Sequence, residues 1–438
     1  MKLKIAAFNF FIFTLFFSSH LLVAAETADA PSLAWSGRIF TDVYAPYQSL
    51  KSSEFQQTST SLWLQGDHKL MPHASARWIL TGDAFDRSVN SALNGQFRVG
   101  LREGYAQYSN SGFVTRVGRQ LIPWGNADAI NPTDFLSAKD YQFFNPDDEV
   151  RRLASNSAWF NFTPSQGTSP VNFTFVWTPV FPQSKLRVTS NTLPTGVTLR
   201  SSPVTPQAHV QDSEFAVKSA YAGKGFDASL SFFRGWSHMP ELAGSLSDLY
   251  FTFHRIRGYG ADASISFDKW VVRFEGAYTQ TENQDGKNPL IQPSHFDAVA
   301  GIERPIADDF RVQLQGIYRY LPQYTKPEDA VWGSVLETAV NREIAKANAL
   351  LLGYQYQTRT GASFRVSYSK DSSGFESELF VLGNFVGEDY LVRPKASYAW
   401  TDAFKTTLGF EYYGGPENRP LGALKSDRSV FLEGKYSF

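Results

Sequence analysis

Cysteine is absent from all 438 residues. That excludes a disulfide scaffold and any thiolate metal site. Long apolar runs are missing too. Beyond the first thirty residues, no stretch approaches the 18 or more consecutive apolar residues of a membrane-spanning helix. Nor does one sign of charge dominate, since 41 basic residues face 42 acidic ones. Nothing in that balance points to a nucleic-acid partner. Signatures of chemistry are equally scarce. There is no GxSxG elbow, and none of the seven histidines forms a pair with zinc-ligand spacing. The oxygens of Asp128, Asn131 and Asp134 are spaced as calcium ligands can be, but the central Gly and terminal Glu of an EF-hand loop are missing. No metal, no cofactor and no enzymatic activity is therefore expected.

What the chain does have begins at its start. Lys2 and Lys4 precede an apolar stretch from Ile5 to about Val23, followed by the small residues Ala24 and Ala25. This is the layout of a secretory signal peptide. The expected division is a signal peptide over 1–25 and a single unit over 26–438. Cleavage would remove two lysines and no acid, moving the formal net charge from −1 to −3.

The strongest signal after that is alternation. In "KWVVRFEGAYTQT", Trp270, Val272, Phe274 and Tyr278 share one face, and Arg273 and Glu275 share the other. The segments 309–320 and 404–413 repeat the pattern, with Phe310, Leu314 and Tyr318 against Arg311, Gln315 and Arg319. A soluble sandwich turns its apolar face to a core. Here the polar face carries Arg, Glu, Lys and Gln in nearly every segment, which an aqueous lumen explains. The mean hydropathy of −0.27 and the 15% aromatic content suit a transmembrane β-barrel with two interfacial girdles.

Strands are expected near 33–45, 58–68, 73–85, 97–109, 113–122, 157–165, 170–179, 212–222, 226–236, 252–268, 269–281, 294–304, 309–320, 347–358, 363–370, 390–400, 404–413 and 428–438. The fold class is all-β, an antiparallel barrel of about eighteen strands, with sixteen also compatible. Short turns alternate with long connections over 181–211, 237–251, 282–293, 321–346, 371–389 and 414–427, as in outer-membrane barrels. The last residues, "VFLEGKYSF", put Tyr436 and Phe438 on one face. They resemble the C-terminal signal read by the barrel assembly machinery.

One segment breaks the alternation: "GRQLIPWGNADAINPTDFLSAKDYQFFNPDDEVRRLAS", residues 118–156. So long a connection is usually functional or disordered, and its aromatics argue against disorder. It is expected to fold inward near 124–152 or to cap the pore. The expected pore-lining groups are Arg119, Asp128, Asp134, Asp140, Asp147, Asp148, Glu149, Arg151 and Arg152. Arg151 and Arg152 are the expected anion-facing pair, unless they pair internally with Asp147 and Asp148. Gly118, Arg119, Gln120, Trp124, Gly125, Asn131, Pro132 and Asp134 form a "GRQ…WG…INP.D" motif. It is similar to a stretch found in porin-like outer-membrane barrels of unknown function, distantly similar to alginate-export-type channels. The resemblance implies an eighteen-strand channel but no substrate. The reading adopted is a passive outer-membrane channel for small solutes, sugars or organic acids first. A plugged structural, assembly or polymer-export barrel is the first alternative, and an outer-membrane hydrolase the second, because triads assemble in space rather than in sequence. The expected partners are outer-membrane lipid and lipopolysaccharide, the assembly machinery and a small solute.

Overall fold

Strands that are apolar on one face and polar on the other need a closed sheet to satisfy both edges in a bilayer. The computed structural model describes residues 32–46, 57–86, 94–125, 130–186, 199–200, 202–245 and 248–438. The expected cleavage site and Asp128 lie outside them. Eighteen strands form one sheet. In chain order they are β1 (Ser32–Pro46), β2 (Gln57–Met71), β3 (Ala74–Asp86), β4 (Phe97–Asn110), β5 (Phe113–Gln120), β6 (Ser155–Phe162), β7 (Val171–Thr178), β8 (Glu214–Ala222) and β9 (Phe226–Trp236). There follow β10 (Arg255–Phe267), β11 (Trp270–Gln280), β12 (His295–Ala307), β13 (Phe310–Tyr320), β14 (Thr358–Lys370), β15 (Phe375–Asn384), β16 (Asp389–Ala399), β17 (Phe404–Gly414) and β18 (Ser429–Ser437). Each pairs antiparallel with the next, and β1 pairs with β18 from Arg38↔Ser437 to Pro46↔Ser429. That last pairing closes the barrel. Phe438 completes it: its N–H donates to Gly37 O at 2.9 Å, and Gly37 N–H donates back to Phe438 O at 2.8 Å.

The two faces separate as the alternation predicts. Leu314 is 50% exposed on the outside, and its neighbour Gln315 is 5% exposed on the inside. Leu230, Phe274, Leu408 and Leu432 belong to the same outward apolar band. Aromatic rings bound it. Tyr259, Tyr278 and Phe296 follow one another towards the long connections, and Phe310, Tyr368 and Phe375 do so beside the short turns. An apolar band between two girdles is the outer surface of a barrel embedded in the bacterial outer membrane. The inner face carries ion pairs between neighbouring strands, among them Arg273–Glu303 at 2.7 Å, Arg319–Asp297 at 2.6 Å and Arg393–Glu411 at 3.3 Å.

Two expected elements are corrected. The stretch 347–358 is no strand. It holds the end of an eighteen-residue helix, α1 (Val335–Leu352), and the link into β14. Ser334 caps the helix by accepting from Glu337 N–H at 3.1 Å, and Ser334 with Glu337 has the spacing of a capping box. The "TRTGA" stretch accordingly lies inside β14 rather than in a turn. Conversely, β15 falls within 371–389, where a long connection was expected. Its inward positions include Phe380 and Leu382, which hide the alternation. The count of eighteen survives because one false strand offsets one missed strand.

Candidate functional site in the lumen

β5 ends at Gln120, where the motif begins its turn away from the wall. Gln120 Nε2 donates to Ser157 O at 3.0 Å, and Leu121 N–H donates to the Glu103 carboxylate at 2.8 Å. Gly118 and Gly125 sit at φ +136° and +86°, where a side chain is strained. A Cβ on Gly125 would lie 1.9 Å from Asn131 Oδ1. That closeness serves a turn. Asn131 Nδ2 donates to Trp124 O at 2.7 Å, and Trp124 N–H donates to Asp134 Oδ1 at 3.2 Å. Pro132 lies between them. The motif therefore shapes the backbone rather than presenting side chains to a solute.

From this turn the segment reaches walls on both flanks of its root. Thr133 N–H and Oγ1 donate to Glu275 on β11 at 2.8 and 2.9 Å. Trp124 and Leu136 pack against Val176, Ala216 and Phe233 on β7, β8 and β9. On the other flank, Gln57 on β2 exchanges two hydrogen bonds with the Phe144 backbone, at 3.0 and 2.9 Å. Phe144 stacks on Tyr44 of β1 at 5.4 Å, and Phe143 meets Phe85 of β3 at 5.8 Å. These partners all belong to the inward face, so the segment spans part of the lumen. Between the two anchors, Ala138–Lys139 pairs with Arg152–Leu153, and one helical turn, Asp148–Arg151, closes the end. Asp147 caps that turn by accepting from Glu149 N–H at 2.9 Å.

The charges are distributed unevenly. Arg152 bridges Asp134 at 2.8 Å and Asp148 at 2.9 Å, so it follows the internal-pairing alternative rather than the anion-facing one. Asp148 also takes Lys139 at 2.7 Å and, more distantly, Arg151 at 3.7 Å. Burial works to raise the Asp148 carboxyl, but Lys139, Arg152 and Arg151 outweigh it and hold it below the usual carboxylate range. Glu149 pairs with Arg38 at 3.1 Å, and Asp140 pairs with Lys185 at 3.3 Å. Arg102 donates to the backbone carbonyls of Glu149 and Arg152. Arg38 and Arg102 also stand over the Trp63 ring at 3.8 and 4.2 Å. Arg151 is left with the weakest neutralisation in the segment. Arg119 is a separate case. It pairs with Gly104 and Asn156, and alternation gives it the exposed side of Val117 rather than the buried side of Gln120.

A folded cap at the end that carries the long connections is a second structure, absent from the expected elements. A hairpin, Glu241–Ser245 with Asp248–Thr252, packs Leu242 and Leu249 against Ile344 of α1. Asn348, fully buried, donates to Leu242 O and Leu290 O, each at 2.9 Å, and accepts from Leu242 N–H at 2.7 Å. The helix C-terminus meets the lumen wall, where Arg319 Nη1 donates to Leu352 O at 2.8 Å.

Beside the hairpin, His254 lies between two carboxylates, with Nε2 at 3.3 Å from Glu241 and Nδ1 at 2.9 Å from Glu282. A neutral imidazole has one N–H, so this cluster needs one more proton. Burial pushes the Glu241 carboxyl from 4.5 up to about 7, although His254 pulls it down. The folded cap thus holds a proton that the open chain releases, and its stability falls as pH rises between about 4.5 and 7. Amide protection factors over 241–245 and 248–252, corrected for the intrinsic pH dependence of exchange, should be larger at pH 5 than at pH 8. In Glu241→Gln that difference should shrink, and an undiminished difference would assign the effect to other groups.

No protein-family model matches the chain, and no curated protein sequence does. Solved structures do. OccAB4 of Acinetobacter baumannii aligns with a TM-score of 0.54 at 8% identity, over 93% of this chain and 98% of that one. OccK3 (OpdO) of Pseudomonas aeruginosa gives 0.54 at 10%, over 93% and 95%. OpdK of the same organism, solved with vanillate, gives 0.53 at 8%, over 93% and 98%. All three are outer-membrane channels, and at these identities the likeness establishes the porin-like fold.

Proposed function

We propose that this barrel is a passive channel for small solutes and that residues 130–154 set its bore and its selectivity. The carrying observation is the inward course of that segment, bonded to Glu275 on one flank and Gln57 on the other. Eighteen strands enclose an aqueous lumen unless loops fill it, so a partial crossing leaves a narrowed path. Arg151, weakly neutralised, is the group on this path best suited to an anion, since guanidinium matches carboxylates bidentately. OpdK was solved with vanillate, an aromatic carboxylate. Organic acids and sugars remain the proposed solute classes. A kinship with alginate-export-type channels, carried by the Gly118–Asp134 motif, belongs to the same proposal, as do secretion through residues 1–25 and recognition of Tyr436 and Phe438 by the assembly machinery.

The test is Arg151→Glu in a planar bilayer under an asymmetric salt gradient. The reversal potential should move towards cation preference. A folded variant whose reversal potential matches the parent's would take Arg151 off the ion path.

A further inference from the structure

The outward wall of β9 and β10 carries an arrangement that transport through the lumen does not use. We propose that Arg234 and Arg257 bind the phosphate groups of an outer-leaflet lipid. The two strands pair Phe232 with Tyr259, Arg234 with Arg257 and Trp236 with Arg255. Phe233, Gly235 and Gly258 are buried on the inner side, so the arginines point outward, and both are exposed. Arg255 is neutralised by Asp212 at 2.6 Å and lies over the Trp236 ring. Arg234 and Arg257 have no ion pair, hydrogen bond or ring contact among the described residues.

Like charges directly opposite each other on a sheet face repel, and no carboxylate among the described residues pairs with either arginine. Their depth suggests what does. Phe232, Tyr259 and Tyr278 form a run of rings one rung nearer the membrane centre, with centroids 5.3 and 6.4 Å apart. Such a girdle marks the interface, so the arginines stand at headgroup level, beside the long connections. Below them Leu230 is exposed and apolar, and exposed Phe215 on β8 stands directly opposite Arg234, together a surface for acyl chains. Two planar guanidinium forks match phosphate oxygens, and the apolar surface beneath favours a lipid over a free anion.

The experiment uses the full refolded chain in detergent, titrated with diphosphorylated lipid A and followed by native mass spectrometry. Dephosphorylated lipid A and inorganic phosphate are the comparison probes. Arg234→Gln with Arg257→Gln should weaken lipid A binding about tenfold or more, the scale for two basic groups at an anionic membrane surface. Single-channel conductance should not change. Equal lipid A affinity in the folded double variant would overturn the proposal. So would equal binding of the dephosphorylated lipid, or displacement of lipid A by equimolar inorganic phosphate. Should the double variant fail to fold, each single variant is expected to weaken binding, and unchanged affinity in both would overturn the proposal equally.

Discussion

Leu314→Arg should destabilise the barrel by roughly 2–4 kcal/mol, the cost of a guanidinium at a lipid-facing midplane site, whereas Gln315→Arg should leave it folded. Leu314 is the fifth residue of the eleven in β13, half exposed on the outer face. An arginine there meets hydrocarbon with no carboxylate beside it. Gln315 faces inward, where Ser363 Oγ donates to it at 3.3 Å, and the wall nearby already holds arginines. Urea titration in vesicles, read by heat-modifiable migration, measures the first effect, and bilayer conductance reads the second. If Gln315→Arg unfolds the barrel and Leu314→Arg does not, the facing of β13 is inverted.

Replacing residues 141–150 with a short Gly–Ser link should raise single-channel conductance while the barrel still assembles. The replacement removes Phe143 and Phe144, which occupy lumen space against Phe85 and Tyr44, and it frees Gln57 and Arg38 from the segment. The two-residue ribbon at its base stays. No strand pairing of the barrel uses the deleted residues, so closure through β1 and β18 is untouched. Conductance equal to the parent's from a verified folded variant would place the narrowing elsewhere, and the cap over 237–254 and α1 would be the next place to cut.

Local pattern makes the wall legible in the sequence. Period-two alternation is a property of each strand, so Leu314, Gln315, Phe274 and Glu275 could be assigned faces from their neighbours. It failed where the inner face turned apolar, as at Phe380 and Leu382. It failed again over 347–358, where the apolar end of α1, Ala349 to Leu352, runs into the alternation of Tyr354, Gln355, Tyr356 and Gln357, although Ser334 and Glu337 signal the start of that helix. The inward segment was legible as an exception, through its length, aromatics and broken alternation. Its partners were not, because Thr133 meets Glu275 across 142 residues and Phe144 meets Gln57 across 87. The same distance dependence separated Arg152, engaged by Asp134, from Arg151, though the two are adjacent in the chain. Nothing in the sequence indicated that Glu241, His254 and Glu282 would meet.

The most direct test of the account is the conductance of the unmodified protein, refolded and shown to be heat-modifiable, in a planar bilayer. A barrel of eighteen strands narrowed but not sealed by residues 130–154 predicts discrete, stable openings that appear without any energy source. Folded protein that inserts and gives no openings would contradict the account and favour a plugged barrel.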